Sequence, residues 1–91
     1  MIEKTTEKIA NCFGYSLDDV KNKDISHKVS QVRNIIYYVL HFELGYSSKK
    51  IATFFGRDDR HIKHQNSITK YQVKTFDDVR SVLAKALNAL N

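Results

Sequence analysis

The densest run of functional side chains in the sequence is Asp58-Asp59-Arg60-His61-Ile62-Lys63-His64-Gln65-Asn66. These types match the donors and acceptors of base edges: Arg suits guanine, Gln or Asn suits adenine, and Asp suits cytosine. His61 and His64 fall about one helical turn apart, a spacing open to metal binding. Two histidines leave a site incomplete, and Cys12 is far off in sequence, so no metal is expected. Three Asp-Asp pairs, at 18–19, 58–59 and 77–78, raise acid/base catalysis as a reading. Each pair instead stands where a helix should begin, and carboxylates there complement the helix dipole. No nucleophile, base and orienting group cluster together, so neither an enzyme nor a cofactor is expected.

The elements that must position these residues follow from periodicity and punctuation. Apolar residues recur at helical spacing throughout, with little strand-like alternation. Gly14, Gly45 and Gly56 each follow an apolar run, where a left-handed residue would close a helix. Ser16-Leu17-Asp18-Asp19 and Thr75-Phe76-Asp77-Asp78 resemble capping boxes with Asp in place of Glu, and Asp58-Asp59 would cap another helix. Six helices are predicted. The first runs from near Ile2 to Phe13, and a short second follows Ser16. A polar, mostly basic loop spans 21–28. The third, from near Val29 to Leu44, carries Val29, Val32, Ile36, Val39, Leu40 and Glu43 on one mostly apolar face, which makes it the central core helix. The fourth runs from near Ser48 to Phe55 and the fifth from near Asp58 to Tyr71. The sixth, from Phe76 to Leu90, is an amphipathic lid. The fold class is therefore all-α, a compact bundle of about six helices in one domain over 1–91.

The fourth and fifth helices are separated by the tight turn Phe55-Gly56-Arg57-Asp58. A short helix, a glycine turn and a polar helix make a helix-turn-helix arrangement, in which the start of the second helix reaches base edges. The inward face of that helix has two possible registers. Either Ile62, Asn66 and Thr69 point to the core, or His61, His64, Ile68 and Tyr71 do.

Charge agrees with an anionic partner for the middle of the chain. The net charge is +5, and the stretch 21–74 holds eleven Lys and Arg against four Asp and Glu, a local balance of +7. The 91 residues suit one small domain with a modest core. The lone Cys12 excludes an internal disulfide and is expected to be a buried structural thiol. No segment suits a membrane span or a secretory signal, and a soluble, cytoplasmic protein without a small-molecule ligand is the plain reading.

The chain from about Thr6 to Leu87 resembles the C-terminal DNA-binding domain of the bacterial replication initiator DnaA. The strongest stretch is Ser47-Ser48-Lys49-Lys50-Ile51-Ala52-Thr53-Phe54-Phe55-Gly56-Arg57-Asp58, which is similar to that family's SLPEIGxxFGGRDH signature. Ile9-Ala10-Asn11-Cys12-Phe13, Asp19-Val20, Arg33 and Thr75 add to it. The resemblance implies a fold related to the Trp-repressor helix-turn-helix and a role on double-stranded DNA in replication initiation or regulation. It also admits protein partners in the replication machinery. Base contacts would come from Asp58, Asp59, Arg60 and His61, with His64 further along the same helix. Lys23, His27 and Lys28, before the central helix, would meet the minor groove or its backbone. Ser48 and Lys49 would contact phosphate at a helix start, with Lys50, Arg57 and Lys63 nearby. Arg33 would join them or pair with an acid inside the domain.

The sequence departs from the family at the contact residues. One glycine, Gly56, replaces two; Asp59 stands for the signature histidine; Arg60 and His61 stand for two threonines; and Ile25 aligns with the minor-groove arginine. The scaffold therefore carries over better than the family's sequence preference, and whether the standard target box is bound stays open at this point. The 91 residues contain no Gly-x-x-x-x-Gly-Lys-Ser/Thr loop. They are either an excised domain or a stand-alone, mobile-element or phage-type version without the ATPase module. The rival expectation is a protein-interaction module that kept the fold and lost DNA binding.

Overall fold

The computed structural model describes residues 1–22 and 26–91. Among these residues six α-helices run in chain order: α1 (Ile2–Cys12), α2 (Leu17–Lys21), α3 (His27–Tyr38), α4 (Ser48–Phe55), α5 (Asp59–Thr75) and α6 (Asp77–Asn88). A π-helical turn, Val39–Glu43, continues α3. The all-α class read from periodicity is the observed one.

The core forms around α3 and its continuation. Val32, Ile35, Ile36, Tyr37, Val39 and Leu40 are buried, and Ile9, Val20, Ile51, Phe55, Ile62, Val79 and Ala86 close on them from the other helices. Burial of such side chains is worth about 1.5–3 kcal/mol each before chain entropy is counted, so it is the main force holding six short helices together. Glu43, placed on the apolar stripe by spacing alone, is exposed because the π turn shifts the register before it. Leu44 N–H donates to the Val39 carbonyl at 3.1 Å, and Tyr46 N–H to the Leu40 carbonyl at 2.9 Å.

Capping explains most of the boundaries. Ser16 Oγ accepts from Asp19 N–H at 3.1 Å, and Asp19 Oδ2 accepts from Ser16 N–H at 2.9 Å, a complete capping box. Ser47 Oγ accepts from Lys50 N–H at 3.1 Å and starts α4. Gly56 ends α4 with φ 66°, a left-handed conformation that L side chains resist. Arg57 N–H then closes onto the Ala52 carbonyl at 2.8 Å.

The expected box at Thr75 does not form. Thr75 is the last residue of α5, and α6 starts after Phe76 with no side-chain cap. Arg80 donates through Nη1 to the Val73 and Lys74 carbonyls, both at 3.1 Å, and pairs with Asp77. Those terminal carbonyls of α5 need donors, and Arg80 reaches back to supply them. α5 therefore runs to Thr75, four residues past its expected end. His27 and Lys28 also move: with Ser26 as the cap, they form the first turn of α3 rather than a loop. Cys12 is half-buried and free, its Sγ 3.9 Å from the Lys85 carbonyl, so the α1–α6 contact covers it only in part.

Candidate nucleic-acid interface

α4 and α5 pack directly against each other across the turn at Gly56, and α5 also packs on α3. The first of the two registers holds. Ile62, Asn66 and Thr69 are buried, whereas His61, His64, Ile68 and Tyr71 are exposed. The first two turns of α5 thus hang on one aliphatic anchor, Ile62, and turn Arg60, His61, Lys63 and His64 outward.

At the start of α5 the two acids serve the helix itself. Asp58 Oδ1 accepts from Arg60 N–H at 2.8 Å and lies 4.0 Å from Arg60 Nε. Asp59 is half-buried, with Oδ2 3.4 Å from Lys63 Nζ, one turn along. Arg60 stays free to reach outward, with 91% of its side chain exposed. His61, Lys63 and His64 join it on the exposed side, and Lys49 and Lys50 are exposed at the start of α4. Lys50 Nζ stands 5.3 Å above the Tyr46 ring.

Two arginines expected at the phosphate surface lie elsewhere, and the Ser48 side chain is buried. Arg33 is buried at 8% exposure. Its Nη1 donates to the Asn22 carbonyl at 2.9 Å and the Val20 carbonyl at 3.4 Å, and Nη2 to Ser30 Oγ at 3.4 Å. It therefore satisfies the end of α2 and neither faces solvent nor pairs with an acid among the described residues. Arg57 is turned inward too, with Nε and Nη2 buried beside Tyr37. Ser48 is buried at 8% exposure, and the α4 cap is Ser47. What Ser48 offers at the helix start is its backbone N–H.

The inward arginines meet a residue that the sequence did not mark. Tyr37 is fully buried, its ring edge-on to Phe55 at 4.9 Å and to His61 at 6.3 Å. Its hydroxyl lies within the influence of both guanidiniums. Burial raises the Tyr37 pKa, and the Arg33 and Arg57 charges pull against it. Burial also lowers that of Arg33. His61 is lowered first by burial and then by the Arg57, Arg33 and His64 charges, which favours its neutral form. Tyr37 lies on the same face as Val29, Val32 and Ile36 only loosely, and aromatic residues on a core helix give no sign of polar neighbours.

His27 and Lys28 are exposed at the opposite end of α3. His27 lines a cleft with Gln72 and Phe76, and Lys28 borders one with Phe13, Tyr15 and Val82. Ten residues of α3 separate His27 from Tyr37, which sits under His61, so the two regions are about 15 Å apart along the helix. One ligand meeting both must be long, as a duplex is. Lys23 lies outside the described residues. No group of three or more metal-ligating side chains occurs among the described residues. Among those residues, no helix is long and apolar enough to cross a membrane.

No protein-family model matches the chain, and no curated protein matches it.

Proposed function

We propose that this chain binds double-stranded DNA, with α4 and α5 acting as a helix-turn-helix and the start of α5 entering the major groove. The observation that carries the reading is the outward set Arg60, His61, Lys63 and His64 on a helix anchored by Ile62, beside the exposed Lys49 and Lys50. A basic helix end of this kind is an electrostatic match for phosphate and has side chains of the right types for bases. Arg60, His61 and His64 are the base-reading residues in this reading, and Lys49, Lys50 and Lys63 contact the backbone. The likeness of the sequence to the DnaA C-terminal domain favours a setting in replication initiation or its regulation.

The test is fluorescence anisotropy with a randomised duplex pool and a DnaA-box duplex at two salt concentrations. Salt-sensitive binding is expected. Lys49→Ala should weaken all duplexes equally, and Arg60→Ala should flatten preference, losing about 1–3 kcal/mol at one base pair. Identical behaviour of the two variants refutes the division of roles. A protein-interaction module is the second reading, favoured by Ile68 and Tyr71, which are 37% and 63% exposed on α5. Absence of duplex binding even at low salt would select it.

A further inference from the structure

A cleft of about 370 Å³ opens where the start of α3, the end of α5 and the start of α6 meet. His27, Gln31 and Asn34 line it from α3, Gln72 from α5 and Asp78 from α6, with Phe76 at the α5–α6 junction. The volume falls in the range of small-ligand sites, about 300–1,000 Å³. No single segment discloses the cleft, because its parts come from three helices, and so the sequence marked no small-molecule ligand.

Three of the lining side chains are carboxamides. Each is half-buried, and none has a hydrogen-bond partner among the described residues. Gln31 and Asn34 lie about one turn apart on α3, and Gln72 meets them from α5. A carboxamide presents a donor and an acceptor side by side, a pattern that pairs with the edge of a nucleobase, adenine above all. Asp78 is exposed and adds an acceptor for an exocyclic amino group. No Lys or Arg lines the cleft, so it offers nothing to match a phosphate.

Phe76 is the independent observation. It is the N-cap residue of α6, and α6 begins with no side-chain cap. Ser, Thr, Asp and Asn are preferred at that position, because the side-chain oxygen takes one of the orphan N–H groups. Thr75 and Asp77, on either side, are of those types. The chain puts an aromatic ring between them and leaves it 47% exposed. Local stability is given up for a ring that lines the cleft, and departures of that kind mark functional positions. An exposed ring beside unpartnered carboxamides suits a ligand with a flat face and a hydrogen-bonding edge.

We propose that this cleft binds a purine base or nucleoside, stacked on Phe76 and read at its edge by Gln31, Asn34 and Gln72. Purines present the larger stacking face of the two base classes. The inference goes beyond the DNA-binding reading and does not depend on it. A free nucleoside and an unpaired purine in a single strand share the chemistry, so the test separates the two sources.

The full chain is titrated with adenosine and with guanosine, and the side-chain amide resonances of Gln31, Asn34 and Gln72 are followed by nuclear magnetic resonance. Saturable shifts are expected, with the same midpoint at low and high salt, because a nucleoside carries no phosphate. Phe76→Ser should weaken binding about 5- to 150-fold, the loss of one stacked base, and Phe76→Tyr should retain it. Asn34→Ala should weaken it about 2- to 10-fold, the loss of one hydrogen bond. The variants should stay helical by circular dichroism, and in Phe76→Ser the new hydroxyl is a cap for α6. Single-stranded oligodeoxyadenylate is then titrated at high salt, where backbone contacts are weak. Binding tighter than that of adenosine and lost in Phe76→Ser supports the site and assigns it to a base within a strand. Affinity no better than that of adenosine supports the site and assigns it to the free nucleoside. Absence of saturable shifts with both nucleosides at millimolar concentration overturns the proposal. So does equal affinity of Phe76→Ser and the parent chain, and so do matching shifts with ribose alone, which identify a sugar cleft.

Discussion

Replacing Ile62 with alanine tests the register that turns α5 outward. Ile62 is fully buried and is the only aliphatic side chain in the first two turns of α5. The substitution removes three carbons from the core, at about 0.8 kcal/mol each, and leaves a cavity that adds to the transfer loss. A destabilisation of about 3–4 kcal/mol is expected. A domain of this size has roughly 5–14 kcal/mol in total, so the variant stays folded in the cold with little reserve. Its melting temperature should fall by roughly 12–30 °C. His64→Ala, on the exposed side of the same helix, should change stability by no more than about 0.5 kcal/mol. Urea unfolding followed by circular dichroism measures both. If His64→Ala costs as much as Ile62→Ala, α5 is rotated relative to the register described, and the outward set of basic residues loses its basis.

Asp58→Ala removes the cap of α5 and should cost about 1 kcal/mol, a fall of roughly 4–8 °C in melting temperature; no change would show that the Asp58 carboxylate does not hold the Arg60 N–H. Arg33→Met strips donors from the Val20 and Asn22 carbonyls and should destabilise by about 1–3 kcal/mol. The same variant should leave the salt slope of duplex binding intact, and a slope reduced by about 0.9 would return Arg33 to the phosphate surface. The folded-state pKa of His61 is lowered, so the unfolded chain binds the proton more readily. Its contribution to stability is fully present above the ordinary histidine value of about 6.5 and is lost as pH falls through that value toward the lowered one. His61→Gln should flatten this part of the urea-midpoint profile, and an unchanged profile would assign the dependence to other groups.

Boundary chemistry was legible wherever a side chain acts on its own neighbours. Ser16 with Asp19, Asp58 with the start of α5, and Gly56 at the end of α4 all work within a few residues, so composition and spacing disclose them. Thr75 shows the limit of that logic. Its spacing to Asp78 fits a cap, but Arg80 satisfies the end of α5 and the helix runs through Thr75. The two registers of α5 were equivalent in sequence because Asn66 and Thr69 are polar and yet point inward. Packing against α3 and α4 decided between them. The π turn at Val39–Glu43 has no residue signature, so Glu43 was placed on a stripe that the backbone had already left. Arg33 and Arg57 read as surface cations because arginine usually is one. Only the fold brings Tyr37 between them.

These inward turns change what the interface has to work with. In the proposed reading, Asp58 and Asp59 are held by Arg60 N–H and Lys63, so they are poorly placed to accept from cytosine as well. Base reading then rests on Arg60, His61 and His64, with His61 favoured in its neutral form by burial and the two arginines beneath it. A neutral imidazole offers one donor and one acceptor, whereas its protonated form offers two donors. A polyanion brought close to His61 opposes the arginine field and favours the protonated form. Duplex binding should therefore take up a proton and strengthen as pH falls toward the histidine range. That gain would be missing in His61→Gln. Equal pH dependence in the two chains would place the proton elsewhere and remove His61 from the contact surface.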